Sequence, residues 1–327
     1  MSSSTSSSDS GPLQLLARVV LFALIPLAVM VGCLWWGPHV SRVDYLAGMR
    51  AKHERLRTLA SPKVILIGGS NVTFGMDSPL LEKAARRPVV NMSIHASLGF
   101  RFMVQELKGG LGAGDIVIAP LEHFAYAHPV LDNDIHLLAV DFNPELLGEL
   151  PVASRPRIVA GVLVMRLKAA WKVINGAWQD DSPHPFFRAD GFNAQGDLVS
   201  HLGLPEWPET KQERVPCTYP VIDPVFWEVL AELQRDVDDA NSTLIMTWPS
   251  IAQSSFDQAC SDSIRSALEG RGIPMLGEAR MYVQPDSAFF DTHHHLRAAG
   301  RRSRTLQLIN DLCSSGRIVC YDRQMSP

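Results

Sequence analysis

Three short apolar runs, separated by segments with helical patterning, limit the fold of this chain more than any other feature. The runs cover residues 63–67, 88–92 and 115–120, and each has the length of a buried strand. Residues 79–86 and 98–107 lie between them and have helical patterns. This alternation predicts parallel strands, because each helix carries the chain back to the starting edge of the sheet. We therefore predict an α/β domain with three layers, α/β/α, around a central and mostly parallel sheet.

The same alternation returns in the C-terminal half of the chain. The predicted elements are a helix at 224–239, a strand at 243–247, a helix near 255–268, a short strand around Pro274 and a last helix at 298–312. Residues 179–221 are rich in Pro, Asp, Trp and Gly and predict a long insertion, which often shapes a substrate groove. Residues 156–174 have apolar residues at helical spacing. They indicate a helix packed on the domain or, as the alternative, one lying on a membrane.

The N-terminal part of the chain predicts a single membrane-spanning helix. Residues 1–12 form a Ser-rich tail that we expect to be disordered. Residues 13–36 are strongly apolar and long enough to span a hydrocarbon core of about 30 Å. A cleaved signal peptide or a buried core helix would be the alternative, but no basic residue precedes the segment and bulky Trp35-Trp36 ends it. Residues 37–62 would then form a juxtamembrane connector, and residues 63–327 the folded domain.

Two features give opposite indications of the side of the membrane on which the domain lies. Basic residues after the span favour the cytoplasm; they are Arg42, Arg50, Lys52, Arg55 and Arg57. The cysteines favour an oxidising compartment, since two disulfides, Cys313–Cys320 and Cys217–Cys260, are conceivable, with four unpaired thiols as the alternative. We expect an extracytoplasmic domain, because long domains are translocated largely regardless of loop charge. The net charge of −4 gives no indication of a nucleic-acid partner.

Two short segments contain the residue types of a nucleophilic site. The first apolar run ends in Gly68-Gly69-Ser70-Asn71, which would present the Ser70 hydroxyl at the C-terminal edge of the sheet. Asp291 precedes His293-His294-His295, so a carboxylate is available to orient a histidine as the general base for a serine. The alternatives are a plain turn at Ser70, a helix cap at Asp291 or Thr292, surface histidines, or a zinc site that includes His123 and His128.

These segments resemble the sequence blocks of the SGNH (GDSL-type) hydrolase superfamily, over residues 63 to about 312. Gly69-Ser70-Asn71 is similar to the Gly-Asp-Ser block, with Gly69 in the place of the Asp. Residues 89–94 resemble the second block, and residues 116–123 resemble the third. Residues 291–296, followed by Gly300, resemble the last block, in which the base is followed by Leu and then by Gly. The resemblance implies an SGNH or flavodoxin-like arrangement of the three layers.

The resemblance also implies roles for individual residues. Ser70 would be the nucleophile and Asp291 the residue that orients the base. The spacing Asp-x-x-His selects His294 as the base, whereas the context His-Leu-x-x-x-Gly selects His295, which we prefer. The oxyanion and substrate would be bound by residues of the first three blocks, namely Gly69, Asn71, Ser93, Ala96, Glu122 and His123. The family's oxyanion glycine would fall near Ala96, or Ser93 would take over its role. The family's oxyanion asparagine is missing, and Glu122 or His123 stands in its place.

The pattern is closest to membrane-anchored relatives that modify bacterial exopolysaccharide or cell-wall glycans. It implies a single-pass protein of the inner membrane with a periplasmic domain. The expected function is a serine esterase or O-acyltransferase that acts on O-acetyl or similar ester groups of a glycan, without a metal or other cofactor. The alternative is a catalytically inactive accessory subunit of a membrane complex that synthesises or exports polysaccharide.

Overall fold

The centre of the protein is a five-stranded parallel sheet. The structure, a computed structural model, describes residues 11–36, 44–131, 133–177, 184–205 and 222–319. The strands of the sheet are β1 (Val64–Leu66), β2 (Val89–Asn91), β3 (Ile116–Ala119), β4 (Thr243–Thr247) and, after a short strand outside this sheet, β6 (Met275–Leu276). Their order is β2-β1-β3-β4-β6, and every neighbouring pair is parallel. The prediction of an α/β domain with a mostly parallel sheet is therefore confirmed.

The direction in which strands are added to the sheet reverses at β1. The chain passes from β1 to β2 on one side and then returns to place β3 on the other side. Such a switch point opens a crevice outside the carboxyl ends of the strands, where ligands of doubly wound sheets bind. Val64 is in register with both Val89 and Ile116, so β1, β2 and β3 end close to one level. The loops that follow these three strands therefore meet beside the crevice.

A second, two-stranded parallel sheet lies outside the main one. It pairs β5 (Ile251–Ala252) with β7 (Val283–Gln284). The sequence analysis did not predict it, because strands of two residues are too short to show a period. The sheet supports the histidine-rich loop, since the N–H of Ala252 donates to the carbonyl of His293 at 3.1 Å.

Helices connect and flank the strands. In the described ranges they are α1 (Pro12–Trp36), α2 (Met49–Thr58), α3 (Ser70–Gly75), α4 (Ser78–Ala85), α5 (Gly99–Gln105), α6 (His123–Ala127), α7 (Ile135–Phe142), α8 (Arg155–Ile174), α9 (Pro224–Asp239), α10 (Gln258–Glu269) and α11 (Ala298–Ser314). The helices predicted near 79–86, 98–107, 156–174, 224–239, 255–268 and 298–312 correspond to α4, α5 and α8 to α11, with small shifts at their ends. The predicted N-caps Asp291 and Thr292 do not cap α11, which begins at Ala298 after Arg297.

The stretch that the sequence indicates as a polar connector contributes to the core. Tyr45, Leu46, Met49 and Leu56 are buried in the same hydrophobic cluster as the strands. Asp44 begins this region by accepting the N–H of Leu46 at 2.8 Å, as an N-cap does. The domain therefore gains a turn and helix α2 from residues 44–58.

Helix α1 differs from the rest of the structure in its exposure. Its segment Gln14–Gly32 is long and apolar enough to cross a membrane, and none of this segment is buried. Membrane anchors and signal sequences share this property. Residues 1–10 and 37–43, which hold most of the predicted tail and part of the connector, lie outside the described ranges.

Candidate active site

Ser70 is the first residue of α3, directly after β1. A plain turn at Ser70 was the alternative from the sequence, but Gly69 is extended (φ −84°, ψ −160°) and a helix of six residues follows it. Val72, Thr73 and Phe74 have modest helix propensity, so packing rather than propensity holds the helix. Val72 and Phe74 are completely buried, whereas Ser70 is only partly buried. Ser70 is therefore the least buried of these residues, while the helix that it begins is held by its buried side chains.

Asp291 and His295 form a buried pair in the loop before α11. The Nδ1 atom of His295 lies 2.7 Å from Oδ1 of Asp291, and the two residues are 6% and 3% exposed. Thr292 shapes the loop, because its hydroxyl accepts the N–H groups of His294 and His295, each at 3.2 Å. A bond from the N–H of Phe290 to the carbonyl of His295, 2.8 Å long, closes it. A carboxylate at Nδ1 leaves Nε2 of a neutral imidazole free to accept a proton.

The pair lies against the helix that begins with Ser70. The rings of His295 and Phe74 are stacked, with centroids 3.9 Å apart and planes inclined by 6°. Phe74 is four residues after Ser70, and residues with this spacing are neighbours on one face of a helix. A helical side chain also leans towards the N-terminus of its helix, which brings Phe74 and the ring on it towards Ser70. Ser70 therefore shares a face of α3 with Phe74, on which the ring of the His295–Asp291 pair is stacked.

His294, the other candidate base, has a different environment. Its Nδ1 atom lies 3.2 Å from the carbonyl oxygen of Ser250, and Asp291 is bonded to His295 instead. His123 begins α6 and lies near His294. Burial lowers the pKa of His123 to about 4, with the charge of His294 as a smaller cause in the same direction. These two histidines line the same region without forming a carboxylate–imidazole pair of their own in the described part of the chain.

Residues from three of the resembling blocks converge on Gly69. A Cβ atom on Gly69 would lie 2.7 Å from Cβ of Ala96 and 2.7 Å from Oε1 of Glu122, so only glycine fits there. Oε1 of Glu122 accepts the N–H of Asn71 at 3.1 Å, and the Asn71 side chain donates to the carbonyl of Pro120 at 3.0 Å. The loops after β1, β2 and β3 are therefore in contact, as the sheet topology requires.

Ser93 has its backbone groups engaged in the fold. Its N–H donates to Oδ1 of Asn91 at 3.1 Å, and its carbonyl accepts a bond from the buried Lys52 Nζ. Burial lowers the pKa of Lys52 to about 7. Since the Ser93 N–H is occupied, Ala96 is the better placed of the two candidates to contribute a backbone N–H beside Gly69.

His95 is a site residue that the sequence analysis missed. Its Nδ1 atom accepts the N–H of Ser97 at 3.0 Å, so the proton of the neutral ring is on Nε2. Burial lowers the pKa of His95 to about 4, and the charges of Glu122 and His295 are smaller causes. Near neutral pH this side chain is therefore an uncharged donor close to Glu122 and His295. One isolated histidine before Ala96 has no spacing pattern, so the sequence offered no signal for it.

An aromatic wall from the predicted insertion covers the His295 side of the site. Residues 184–205 are described, and Phe187 from this stretch lies 5.6 Å from Phe74 between ring centroids. His201 lies 4.7 Å from Phe74 and places its Nε2 atom 2.9 Å from the carbonyl of Leu296. Burial lowers the pKa of His201 to about 4. The rest of the insertion, 179–183 and 206–221, lies outside the described residues.

Asp197 holds this wall on the domain. The carboxylate is fully buried. It accepts hydrogen bonds from Ser78 N–H at 2.9 Å, Ser78 Oγ at 2.5 Å, Asn91 Nδ2 at 2.8 Å, Asn193 Nδ2 at 3.0 Å and Arg301 Nη2 at 3.1 Å. These donors belong to α4, β2, the insertion and α11. One carboxylate therefore connects four segments around the site, and its burial is compensated by a charged partner.

The site offers no obvious cage for a metal ion. Across the residues that the structure describes, no group of three or more His, Cys, Asp or Glu side chains is arranged to hold one. A small cleft beside Asp291 is lined also by Phe289, Thr292 and His293.

Comparison of the chain with protein-family models, with curated proteins and with solved structures gives no match.

Proposed function

We propose that the protein is a serine esterase or acyltransferase with a three-layer α/β/α fold of the SGNH, flavodoxin-like type. The observation that carries the proposal is the position of His295, which is bonded to Asp291 and stacked on Phe74, one helical turn from Ser70. The site follows the first strand at the switch point of a parallel sheet, where doubly wound proteins bind ligands. A serine, a histidine and a carboxylate in this relation support nucleophilic catalysis.

In the proposed reaction, Ser70 Oγ attacks the acyl carbonyl of an ester. Nε2 of His295 takes the serine proton, while Asp291 holds Nδ1–H and stabilises the imidazolium. The tetrahedral intermediate collapses, and the imidazolium gives its proton to the departing alkoxide, so that an alcohol leaves and an acyl-serine remains. Water then completes a hydrolysis, or a sugar hydroxyl completes a transfer, with His295 again acting as base.

The oxyanion would be stabilised by donors of this chain rather than by the asparagine common in the family. Ser70 and Ala96 begin a helix and a 3-10 turn, so their N–H groups have no partner within these elements. The Nε2–H of His95 is a third donor, uncharged near neutral pH because burial lowers the pKa of His95 to about 4. A neutral imidazole donor stabilises developing negative charge without first repelling the general base.

Glu122 favours a second candidate function. Its carboxylate stands beside Gly69, in the place where the family has a donor, and it occupies the N–H of Asn71. A negative charge at this place opposes an oxyanion, and loss of one such donor typically costs a factor of ~10²–10³ in rate. A catalytically inactive subunit of a polysaccharide synthesis or export complex, which binds a glycan in the same cleft, is therefore the rival proposal.

We further propose that the protein is anchored in the inner membrane by α1 and acts on ester groups, such as O-acetyl, of a periplasmic glycan. Cys260 and Cys313 are both disulfide-bonded, which supports an oxidising compartment; Cys217 and Cys320 lie outside the described residues. Two of the basic residues that favoured the cytoplasm have structural roles. Lys52 is buried, and Arg55 donates to Glu82 and to the carbonyl of Val89.

The experiment is acetyl release from an O-acetylated polysaccharide by the full-length protein in detergent, compared with the Ser70→Ala variant. We expect release by the wild type alone, with acetate formed in water and acetyl-sugar formed when a glycan acceptor is added. The exposed Ser254→Ala variant is the matched control and should retain full activity. Binding of the polysaccharide by both proteins without any release would favour the inactive subunit.

A further inference from the structure

Helix α8 has its polar and apolar faces in an unusual arrangement. It buries Ile158, Val162 and Ala169 together with Arg166, whose guanidinium is paired with Asp141 at 2.5 Å. The face opposite these residues is apolar and exposed or half-exposed; its side chains are Val159, Ala160, Leu163, Val164, Leu167, Trp171 and Ile174. A surface helix of a water-soluble domain normally has polar and charged residues on the face opposite its buried one. This helix therefore presents its apolar side to the surroundings of the domain.

The exposure on this face is large. Trp171 is 66% exposed and Ile174 is 74% exposed, and Val152, just before the helix, is 73% exposed. Contiguous apolar patches of this kind on a protein surface mark contact with a membrane or with another protein.

A basic strip lies next to the apolar face. Arg157, Lys168 and Lys172 are eleven and then four residues apart, which places them on one line along a helix of 3.6 residues per turn. All three are exposed, and Arg157 also contacts Asp134 at 3.1 Å. A helix with Trp and aliphatic residues on one face and Lys and Arg beside it is typical of helices in the membrane interface.

The position of α1 indicates which of the possible partners covers this face. Helix α1, the candidate membrane span, is in contact with α8. A bilayer crossed by α1 would therefore reach the helix whose outer side is apolar, and its phosphate groups would meet the basic strip.

We propose that α8 lies in the interface of the bilayer that α1 crosses, with Val164, Trp171 and Ile174 among the acyl chains. This inference rests on the proposed membrane anchoring but not on the proposed catalysis. Helix α8 packs on α7, and α7 contacts the turn Ala96–Leu98 at the candidate site. The site would thus be held at a fixed height above the membrane, close to a substrate that emerges from it.

The test uses the full-length protein in vesicles of phosphatidylcholine and phosphatidylglycerol with a lipid-soluble carbene photoreagent. Peptide mapping by mass spectrometry then locates the label. We expect label in α1 and on the outward positions of α8, and none in α9, whose exposed face is polar. Label in α1 without label in α8 would overturn the proposal while leaving the anchor intact. Absence of label from both helices would overturn the anchor and this proposal together. A crosslink from Trp171 to a second protein would also overturn the proposal, because it would show that a protein and not the bilayer covers the apolar face of α8.

A pair of variants sharpens the test. Val164→Glu combined with Trp171→Glu should abolish the labelling of α8 and preserve that of α1, because both side chains are exposed and their replacement leaves the core intact. Glu228→Gln in α9 is the control and should change neither. Esterase activity towards a soluble aryl acetate should be equal in both variants, which separates this inference from the proposed catalysis. Unchanged labelling of α8 in the double variant would contradict the assigned face.

Discussion

The histidines around Ser70 differ in what each ring nitrogen contacts, and this difference assigns their roles. His295 has a carboxylate at Nδ1, as a general base requires. His95 and His201 lie in buried surroundings that lower the pKa of each to about 4, so both are neutral near pH 7. His294 faces only a backbone carbonyl at Nδ1. Environment rather than residue type thus separates one base from several neutral donors.

Substitutions of the acidic and basic residues test this assignment. We expect His295→Gln to lower kcat for an aryl acetate by a factor of ~10³ or more, and Asp291→Asn by ~10²–10⁴, because the first removes the base and the second its orientation. His294→Gln is the matched control and should retain activity within a factor of about five, since it contacts no carboxylate. A larger loss with His294→Gln than with His295→Gln would reverse the assignment.

At the level of elements, the sequence predicted the helices and strands whose apolar residues form a clear pattern. The helix at 224–239 coincides with α9, which has a long amphipathic pattern, and the strand at 243–247 coincides with β4, which is a short apolar run after that helix. Helix α3 was missed, since its β-branched and aromatic residues give no helical signal and its formation depends on burial.

The candidate site could be predicted only in part, for a related reason. The segments of Ser70, Asp291 and His295 have diagnostic neighbours in sequence, and these segments were found. The stacking of His295 on Phe74 joins residues far apart in the chain and needs α3, which had not been predicted. The aromatic wall comes from an insertion without periodicity, and its position is set by the buried hydrogen bonds of Asp197.

The junction of three loops at Gly69 leads to a prediction about packing. Gly69→Ala would place a methyl group 2.7 Å from both Ala96 Cβ and Glu122 Oε1, so one of the loops must move. We expect a loss of about 1–3 kcal/mol in the free energy of unfolding and a lower esterase rate. Gly148→Ala is the control, because a Cβ there meets no atom within 4 Å. Denaturant titration of both variants measures the effect; equal stability of Gly69→Ala and wild type would show that the loops are not in close contact.

At the level of the whole molecule, buried histidines predict sensitivity to acid. Burial lowers the pKa of His95, His123 and His201 from 6.5 to about 4, so between these values the unfolded chain binds more protons than the folded one. Stability is therefore complete above pH 6.5 and is lost as the pH falls towards 4, by at most about 2 kcal/mol per histidine at pH 5.

Unfolding titrations between pH 7 and pH 5 measure this loss. His201→Gln keeps a donor for the Leu296 carbonyl but cannot be protonated. The number of protons taken up on unfolding near pH 5 should therefore fall by about one, and the slope of stability against pH should fall with it. If wild type and His201→Gln show equal slopes, His201 does not contribute to the linkage.

The disulfides predict the compartment of the domain. Cys260 and Cys313 are both disulfide-bonded, which is typical of domains in oxidising compartments. When cells are denatured in an excess of an alkylating reagent, both residues should stay unmodified unless a reductant is added first, and mass spectrometry of their peptides reports this. Modification of both residues without reductant would place the domain in a reducing compartment and remove the periplasmic glycan from consideration.

The central claim, that Ser70 is a nucleophile activated by His295 and Asp291, is tested most directly by a fluorophosphonate probe. The full-length protein, its Ser70→Ala variant and a control esterase are incubated with the probe, and the modified residue is located by peptide mapping. The proposed site predicts one adduct, on Ser70, which is lost in Ser70→Ala and strongly slowed in His295→Gln. Labelling of the control esterase without any adduct on Ser70 of this protein would contradict the claim and favour the inactive subunit.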